Sequence, residues 1–258
     1  MIIINPKYES LRTWIEALPG EFEASGIELF RRRNVLKAYN VGDLQLVVKR
    51  FKPLGLVKGA IYTWFRPGKA VRSYQNALKL MERGIGSPEP VAYIEQPRHG
   101  LLHDAYYICL HTEYESVEQR LNRTQPFDAP FGRAFAACVA RLHEQGILHF
   151  DLNSGNILYK ELADGTFDFQ LIDLNRMRFM PAGEPAPMRE CLENLTLFTR
   201  SLEVHAFVAR EYAVVRGLEP DAFVTRASQW KVRHDRNRRI KKKIVHPVRT
   251  LKELLGKA

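Results

Sequence analysis

The sequence has few cysteines, no long apolar run and no leader-like start. Its three cysteines, Cys109, Cys138 and Cys191, lie far apart and form no Cys-x-x-Cys pair. This argues against a disulfide framework or a cysteine zinc site and indicates a reducing compartment. No uninterrupted stretch approaches the roughly 18–20 apolar residues of a membrane-spanning helix. The N-terminal apolar run is brief and has no basic region before it, which is untypical of a signal peptide. These absences predict a cytosolic protein.

The composition is that of a globular protein. Of the 258 residues, 45% are hydrophobic and 26% are charged, which excludes a disordered or fibrous chain. A chain of this length can bury a large core and form either one large domain or two lobes.

The positive charge is concentrated at the C-terminus. The formal net charge is +10, and residues 231–258 alone contain 11 Lys or Arg and two acidic residues. Such a segment is either a solvated helix face with a tail or a surface that attracts a polyanion, nucleic acid or an anionic membrane. Aromatic residues are nearly absent there, so stacking of single-stranded nucleic acid is poorly supported. The segment indicates the sign of a partner's charge and leaves its identity open.

Hydrophobic periodicity places strands first and helices later. Alternating patterns and turn residues predict strands in the first third, a helix ending at Gly84, two more strands, and a helix that begins at Asp128 and ends at Gly146. A hairpin with its turn at residues 163–165 is predicted next, and most of the sequence after it has the hydrophobic periodicity of helices. This order predicts an α+β protein with two lobes, residues 1–113 and residues 114–258, the second including the basic segment 231–258.

The chemistry-bearing residues are concentrated in residues 146–176. His149, Asp151 and Asn156 form a His-x-Asp-x4-Asn pattern, and Asp173 ends an apolar strand. A tight hairpin between them is expected to bring Asp173 close to Asn156. An amide oxygen and a carboxylate suit Mg²⁺, and a second carboxylate can accept a proton from a hydroxyl group. These are the requirements of phosphoryl transfer.

The segments HFDLNSGN and LIDLN resemble the catalytic and metal-binding loops of the protein-kinase-like superfamily. The resemblance implies a bilobal fold, with an antiparallel sheet and one helix in the N-terminal lobe and a mainly helical C-terminal lobe. It implies that Asp151 is the catalytic base, that Asn156 and Asp173 hold the metal, and that His149 braces the loop. Lys49, in LVVKRF, matches the strand lysine that contacts the nucleotide phosphates.

Several departures from the protein-kinase pattern narrow the function. Phe150 replaces the arginine that senses a phosphorylated activation loop, and Asn153 stands where serine/threonine kinases usually have lysine. Leu174 and Asn175 replace Phe-Gly, and no Ala-Pro-Glu motif follows. Peptide docking and activation-loop control are therefore expected to be absent, which favours a small-molecule or glycolipid acceptor.

The N-terminal lobe also departs from the pattern. It has no Gly-x-Gly-x-x-Gly motif; one glycine near residue 26 and the basic residues Arg31–Arg33 take that place. The helix after Lys49 should contain a glutamate that pairs with this lysine, but Gln75 occupies the central position. The partner of Lys49 is thus left open.

The wider pattern is most similar to the lipopolysaccharide core kinases, which phosphorylate Kdo or heptose. The similarity rests on VVKRF, on KAVRSYQNALKLMERGIGSPEPVAYIE, on ILHFDLNSGNILY and on LIDLNRMRF. It implies an ATP- and Mg²⁺-dependent kinase that acts on a lipid-linked sugar, Kdo being preferred over heptose. The family works at the cytoplasmic face of the inner membrane, so residues 231–252 are expected to hold the enzyme at an anionic surface, with no specific nucleic-acid partner.

Three alternatives remain open at this stage. One is another enzyme of the superfamily, either an aminoglycoside-type small-molecule kinase or an atypical protein kinase. The second is a pseudokinase that acts as a binding module, favoured by the missing glutamate and opposed by the intact Asp151, Asn156 and Asp173. A nucleic-acid-binding protein would rest on the basic segment alone.

Overall fold

The structure, a computed structural model, describes residues 1–255 and the side chains of residues 1–241. Most of the side chains in the basic segment 231–258 therefore lie outside the described part. The fold is α+β, with an antiparallel sheet in the N-terminal half and mainly helices in the C-terminal half. The predicted fold class is confirmed.

Within residues 1–255 the strands, numbered along the chain, are β1 (Ile2–Ile4), β2 (Ile27–Arg31), β3 (Val35–Val41), β4 (Leu44–Phe51), β5 (Pro90–Arg98), β6 (Leu101–Leu110), β7 (Glu115–Ser116), β8 (Ile147–His149), β9 (Ile157–Glu161), β10 (Phe167–Leu171) and β11 (Met177–Phe179). The α-helices are α1 (Arg12–Glu21), α2 (Leu56–Trp64), α3 (Lys69–Glu82), α4 (Val117–Asn122), α5 (Ala129–Glu144), α6 (Met188–Asn194), α7 (Leu202–Val215) and α8 (Pro220–Leu255).

The chain forms two compact units. The first contains Met1–Glu115 and Asn156–Met177, and the second contains Ser116–Gly155 and Arg178–Ala258. The first unit thus includes the hairpin of β9 and β10, which comes from later in the chain. The two-lobe division at residue 113 stays a prediction.

An antiparallel sheet with the order β1-β5-β6-β4-β3-β2 is the centre of the first unit. β3 and β4 are joined by a tight turn in which Gly42 has a φ of 58°, a conformation that glycine adopts without steric cost. Alternate residues of β4, including Leu46 and Val48, are fully buried in an apolar cluster together with Ile15 and Phe22 of the N-terminal segment. α3 packs against β5 and β6 through its own apolar face.

The first unit has two helices beyond the one expected. α1 contains Pro19 in its last turn, and α2 has Gly59 at its centre. Both residues weaken the helical signal of a sequence pattern, since proline and glycine are poor helix formers. The large apolar residues of α2 are also exposed. The helix therefore lacks the usual pattern of apolar residues on the inner face and polar residues on the outer face, by which a sequence predicts a helix.

β9 and β10 form an antiparallel hairpin in which Leu171 lies opposite Ile157. Its turn contains Gly165 with a φ of 79°, as the Ala-Asp-Gly sequence predicts. The hairpin brings the residue before β9 and the residues after β10 to the same end.

The second unit is built on α5, against which α7 packs. Asp128 caps α5 as predicted, because its side chain accepts a hydrogen bond from the backbone N–H of Phe131 at 3.0 Å. The helical pattern after the Pro-rich loop is divided between α6 and α7. The division arises because Ser201 caps a new helix by accepting from the N–H of Val204 at 3.2 Å. β8 pairs with β11 in a two-stranded sheet.

Candidate active site

In the first unit, Lys49 and Asp173 form an ion pair. Lys49 lies on β4 between Leu36 of β3 and Tyr107 of β6, and its Nζ is 2.5 Å from Oδ1 of Asp173. The Lys49 and Asp173 side chains are 15% and 29% exposed, so both are accessible to a ligand. Two residues that are 124 positions apart in the sequence are thus brought together by the fold.

The backbone holds Asp173 in an uncommon conformation. Its φ is 57°, in the left-handed region that few residues other than glycine adopt. Asn175 donates a hydrogen bond from Nδ2 to Oδ1 of Asp173 at 2.7 Å. Such a backbone conformation costs free energy and persists only where the surrounding structure holds it. Conformations of this kind cluster at functional sites.

Helix α3 holds the loop around Asp173. Asn76, which is buried, donates from Nδ2 to the carbonyl oxygen of Leu174 at 2.7 Å. Arg72 donates from its guanidinium to the carbonyl oxygen of Asn175 at 2.8 Å. The two side chains lie four residues apart and therefore on the same face of the helix.

Asn156 lies at the end of the β9–β10 hairpin next to Asp173. Its carbonyl oxygen accepts from the backbone N–H of Ile172 at 3.0 Å, one residue before Asp173. The part of the chain whose side chains are described contains no group of three or more His, Cys, Asp or Glu residues that could hold a metal. One amide and one carboxylate nevertheless fit Mg²⁺, which takes few protein ligands and completes its shell with waters and substrate phosphates.

Further cations lie near the Asp173 carboxylate, among them Lys69. The Nζ atoms of Lys49 and Lys69 both lie over the ring of Phe51, 5.4 Å and 5.8 Å from its centroid. Burial lowers the pKa of Lys69, and the charges of Arg33 and Arg176 lower it further. The excess of positive charge means that the site favours an anion with several charges.

No described acidic side chain of α3 pairs with Lys49. Gln75, the position at which a pairing glutamate is expected, is exposed. The face of α3 that contacts the Asp173 loop contains Arg72 and Asn76 instead. The carboxylate that balances Lys49 is that of Asp173 itself.

The second unit contains Asp151, in the loop after β8. The buried His149 accepts a hydrogen bond at Nδ1 from the backbone N–H of Asp151 at 3.1 Å. Nδ2 of Asn153 donates to Oδ1 of Asp151 at 3.1 Å and to its carbonyl oxygen at 3.2 Å. The amide of Asn153 thus orients the Asp151 carboxylate.

A buried hydrogen-bond network supports this loop. Asn194 of α6 donates from Nδ2 to the carbonyl oxygen of His149 at 2.7 Å. Its Oδ1 lies 3.1 Å from Nε2 of His143, whose Nδ1 lies 3.0 Å from the hydroxyl of Tyr212. Because the Asn194 amide oxygen only accepts, His143 donates from Nε2 and accepts at Nδ1. Burial lowers the pKa of His143 to about 4.

The motifs in the sequence did not reveal the supporting residues. Asn76 and Arg72 of α3 and Asn194 of α6 belong to no short pattern, and each reaches a loop far away in the sequence. No local signal marks Asn194, because α6 also contains the polar residues Arg189, Glu190 and Glu193.

Comparisons with known proteins identify a family and a similar fold. The model of a family described as "Lipopolysaccharide kinase (Kdo/WaaP) family" matches residues 56–216, more than half of the chain. A solved structure described as "WaaP in complex with acyl carrier protein" is similar in fold, with a TM-score of 0.59 and 18% identity, and covers 89% of this chain and 98% of that chain. None of the curated proteins matches the chain. Among the residues whose placement is described, no helix has the length and apolarity to cross a membrane.

Proposed function

Because the chain belongs to the lipopolysaccharide kinase (Kdo/WaaP) family and is therefore a sugar kinase of the lipopolysaccharide core, we propose that it phosphorylates Kdo, with heptose as the less favoured acceptor. The family match over residues 56–216 is the observation that carries the assignment to a core sugar, and the acceptor assay below decides between Kdo and heptose. The absence of the peptide-docking motifs of protein kinases from the sequence supports a sugar rather than a protein acceptor.

The first unit supplies the proposed nucleotide site. Lys49 contacts the α- and β-phosphates of ATP, and Asn156 and Asp173 hold Mg²⁺. Mg²⁺ held there would supply positive charge that neutralises the charge developing on the phosphates. Support comes from the Lys49–Asp173 pair, from the hard oxygen donors and from the surplus cations around Phe51. The protein contributes positioning and electrostatic stabilisation.

Asp151 is the proposed base. It accepts the proton of the acceptor hydroxyl while the hydroxyl oxygen forms a bond to the γ-phosphorus and the bond from that phosphorus to the ADP oxygen breaks. The hydrogen bond from Asn153 supports this role, since it orients the Asp151 carboxylate.

A lipid-linked acceptor requires the enzyme at a membrane, and we assign attraction to the cytoplasmic face of the inner membrane to residues 231–252. In the described part of this segment, Arg236, Arg238, Arg239 and Lys241 are all exposed. Each basic residue close to an anionic surface contributes about 1 kcal/mol. Charge reversal at Arg238 and Arg239 should weaken binding to anionic vesicles; unchanged binding would contradict this assignment.

The test of function is phosphate transfer from labelled ATP with Mg²⁺ to three acceptors: a Kdo-bearing lipid A precursor, a heptosylated core and a generic protein. Asp151→Ala is the blank. Label in the Kdo-bearing acceptor alone, lost in the blank, is expected. Label only in the heptosylated core would make heptose the acceptor. ATP binding without transfer to any of them would favour the pseudokinase.

A further inference from the structure

Helix α2 exposes an apolar stripe. Val57, Ile61 and Trp64 follow one another at intervals of four and three residues, so they lie on one side of the helix. Their exposed fractions are 76%, 44% and 67%, and Phe65, directly after the helix, is 83% exposed. A helix of a soluble protein normally turns such a stripe towards the core, so this orientation needs an explanation.

The opposite side of α2 is fixed to strand β6. A Cβ atom at Gly59 would lie 2.9 Å from the carbonyl oxygen of Leu102, so only glycine permits this approach. The hydroxyl of Thr63 donates to the carbonyl oxygen of Gly59 and accepts from the N–H of Leu102, both at 2.8 Å. The small and polar residues are therefore the inner face, and the helix cannot rotate its apolar stripe inwards without breaking these contacts.

The sequence on both sides of α2 contains charged residues of one sign. Residues 44–81 contain no Asp or Glu and eight Lys or Arg. Two of these, Lys58 within α2 and Arg66 just after it, are exposed. An anionic partner is therefore favoured over a neutral or cationic one.

We propose that α2 is a membrane-binding element that inserts Val57, Ile61, Trp64 and Phe65 into an anionic lipid bilayer, with Lys58 and Arg66 at the level of the headgroups. An apolar stripe with aromatic residues beside basic ones is the pattern of helices that lie in the membrane interface. A bilayer is favoured over a second copy of the chain, because two copies would bring like charges of this acid-free segment together.

The inference rests on the proposed function, since a lipid-linked acceptor requires the enzyme at the bilayer. It concerns a different part of the chain from the basic segment 231–258. The two contributions also differ in kind, because charge attraction is screened by salt whereas apolar insertion is not.

The test is binding of the full chain to vesicles of phosphatidylglycerol and phosphatidylethanolamine, without acceptor or ATP. The variant Val57→Ser/Ile61→Ser is compared with Val214→Ser/Val215→Ser, which removes two exposed apolar side chains from α7. The α2 variant should bind about tenfold more weakly, and the α7 variant should bind as the unmodified chain does. Vesicles of phosphatidylcholine should bind all three chains weakly.

Trp64 gives a direct reading of insertion. It is exposed, whereas Trp14 and Trp230 are half-buried, so lipids brominated on their acyl chains should quench its fluorescence and Trp64→Phe should remove most of that quenching. Equal vesicle binding by the α2 and α7 variants, or no quenching, would overturn the proposal. So would an α2 effect limited to self-association or to binding of an acidic soluble protein.

Failure of this inference is distinguishable from failure of the proposed function. Transfer to a de-acylated, water-soluble Kdo acceptor does not need a membrane and should be equal in the α2 variant and the unmodified chain. Absence of transfer to every sugar acceptor would contradict the proposed function even if α2 inserts.

Discussion

The surroundings of Asp173 and of Asp151 are built from different kinds of interaction. Around Asp173 charged groups are prominent: the ion pair with Lys49 and the nearby cations Lys69 and Arg72, beside one hydrogen bond from the Asn175 amide. The Asp151 loop is held by hydrogen bonds of neutral groups, namely Asn153 and the buried groups behind His149. A carboxylate among surplus cations suits a site that binds and releases an anionic ligand. A loop on buried neutral hydrogen bonds keeps its geometry whatever ligand or salt is present.

The largest expected difference between the two regions lies in their carboxylates. Asp151→Asn should lower kcat by about 10³-fold, because the base is lost, and should leave the affinity for ATP nearly unchanged. Asp173→Asn should lower both transfer and the affinity for Mg²⁺-ATP. Equilibrium binding of a fluorescent ATP analogue, together with transfer rates, separates the two. Equal losses of affinity in both variants would remove the distinction between the regions.

The neutral network can be broken at Asn194. Asn194→Leu removes the buried hydrogen bonds to the carbonyl oxygen of His149 and to Nε2 of His143, which should destabilise the fold by about 2–4 kcal/mol. Displacement of the loop should lower kcat by about 10- to 100-fold. Urea unfolding and transfer assays measure the two effects, and Asn237→Leu, at an exposed position of α8, is the control. A loss of ATP affinity as large as the loss of kcat would contradict a role limited to the Asp151 loop.

A fall in pH should destabilise the second unit because of its buried histidines. Burial lowers the pKa of His143 and that of His205 to about 4. Between pH 6.5 and 4 the unfolded chain therefore binds more protons than the folded one, and the free energy of unfolding should decrease as the pH falls, by an amount on the order of 2–3 kcal/mol for each of the two histidines.

Urea unfolding at pH 7 and pH 5 measures this dependence, and His205→Phe supplies its control. The His205 ring stacks on Phe198 and its nitrogens have no hydrogen-bond partner among the described residues. The variant should therefore fold and show a smaller decrease between the two pH values. A decrease as large as that of the unmodified chain would exclude His205 as a source of the acid sensitivity.

A smaller effect is expected from the surplus cations near Asp173. Lys69→Met should weaken ATP binding by about three- to tenfold and make it less dependent on salt, because one charge near the phosphates is lost. Lys79→Met makes the same change at the exposed end of the same helix and should have little effect. Titrations with ATP at low and high salt compare the affinities of the two variants. Equal affinities and equal salt dependence would show that Lys69 does not interact with the nucleotide.

The smallest effect should come from Gln75. Because Gln75 is exposed, Gln75→Glu should not create a pair with Lys49. It should change kcat and KM by less than about twofold, since exposed charges interact only weakly with their neighbours. A large gain in activity would show that α3 presents a different face to the site than the one containing Arg72 and Asn76.

The sequence predicted the fold class and the phosphotransferase activity, and both are confirmed. The roles of Lys49, Asp151, Asn156 and Asp173 stay predictions, although the fold places Lys49 against Asp173. Motifs named these residues because phosphoryl transfer demands a few residue types at fixed local spacings. No motif predicted the contacts of Arg72, Asn76 and Asn194. Backbone carbonyls accept hydrogen bonds from many kinds of side chain, so the residues that bind them follow no sequence pattern.

What the sequence by itself determined was local: turns at glycines with positive φ, the Asp128 cap of α5, the alternation of the strands, and the chemical identity of the loop residues. Only the tertiary structure decided which groups meet. It paired Lys49 with Asp173, turned Gln75 outwards, and fixed α2 on β6 through Gly59 so that its apolar stripe faces solvent. Backbone conformation and side-chain chemistry depend on near neighbours in the chain, whereas burial and pairing depend on packing between distant segments.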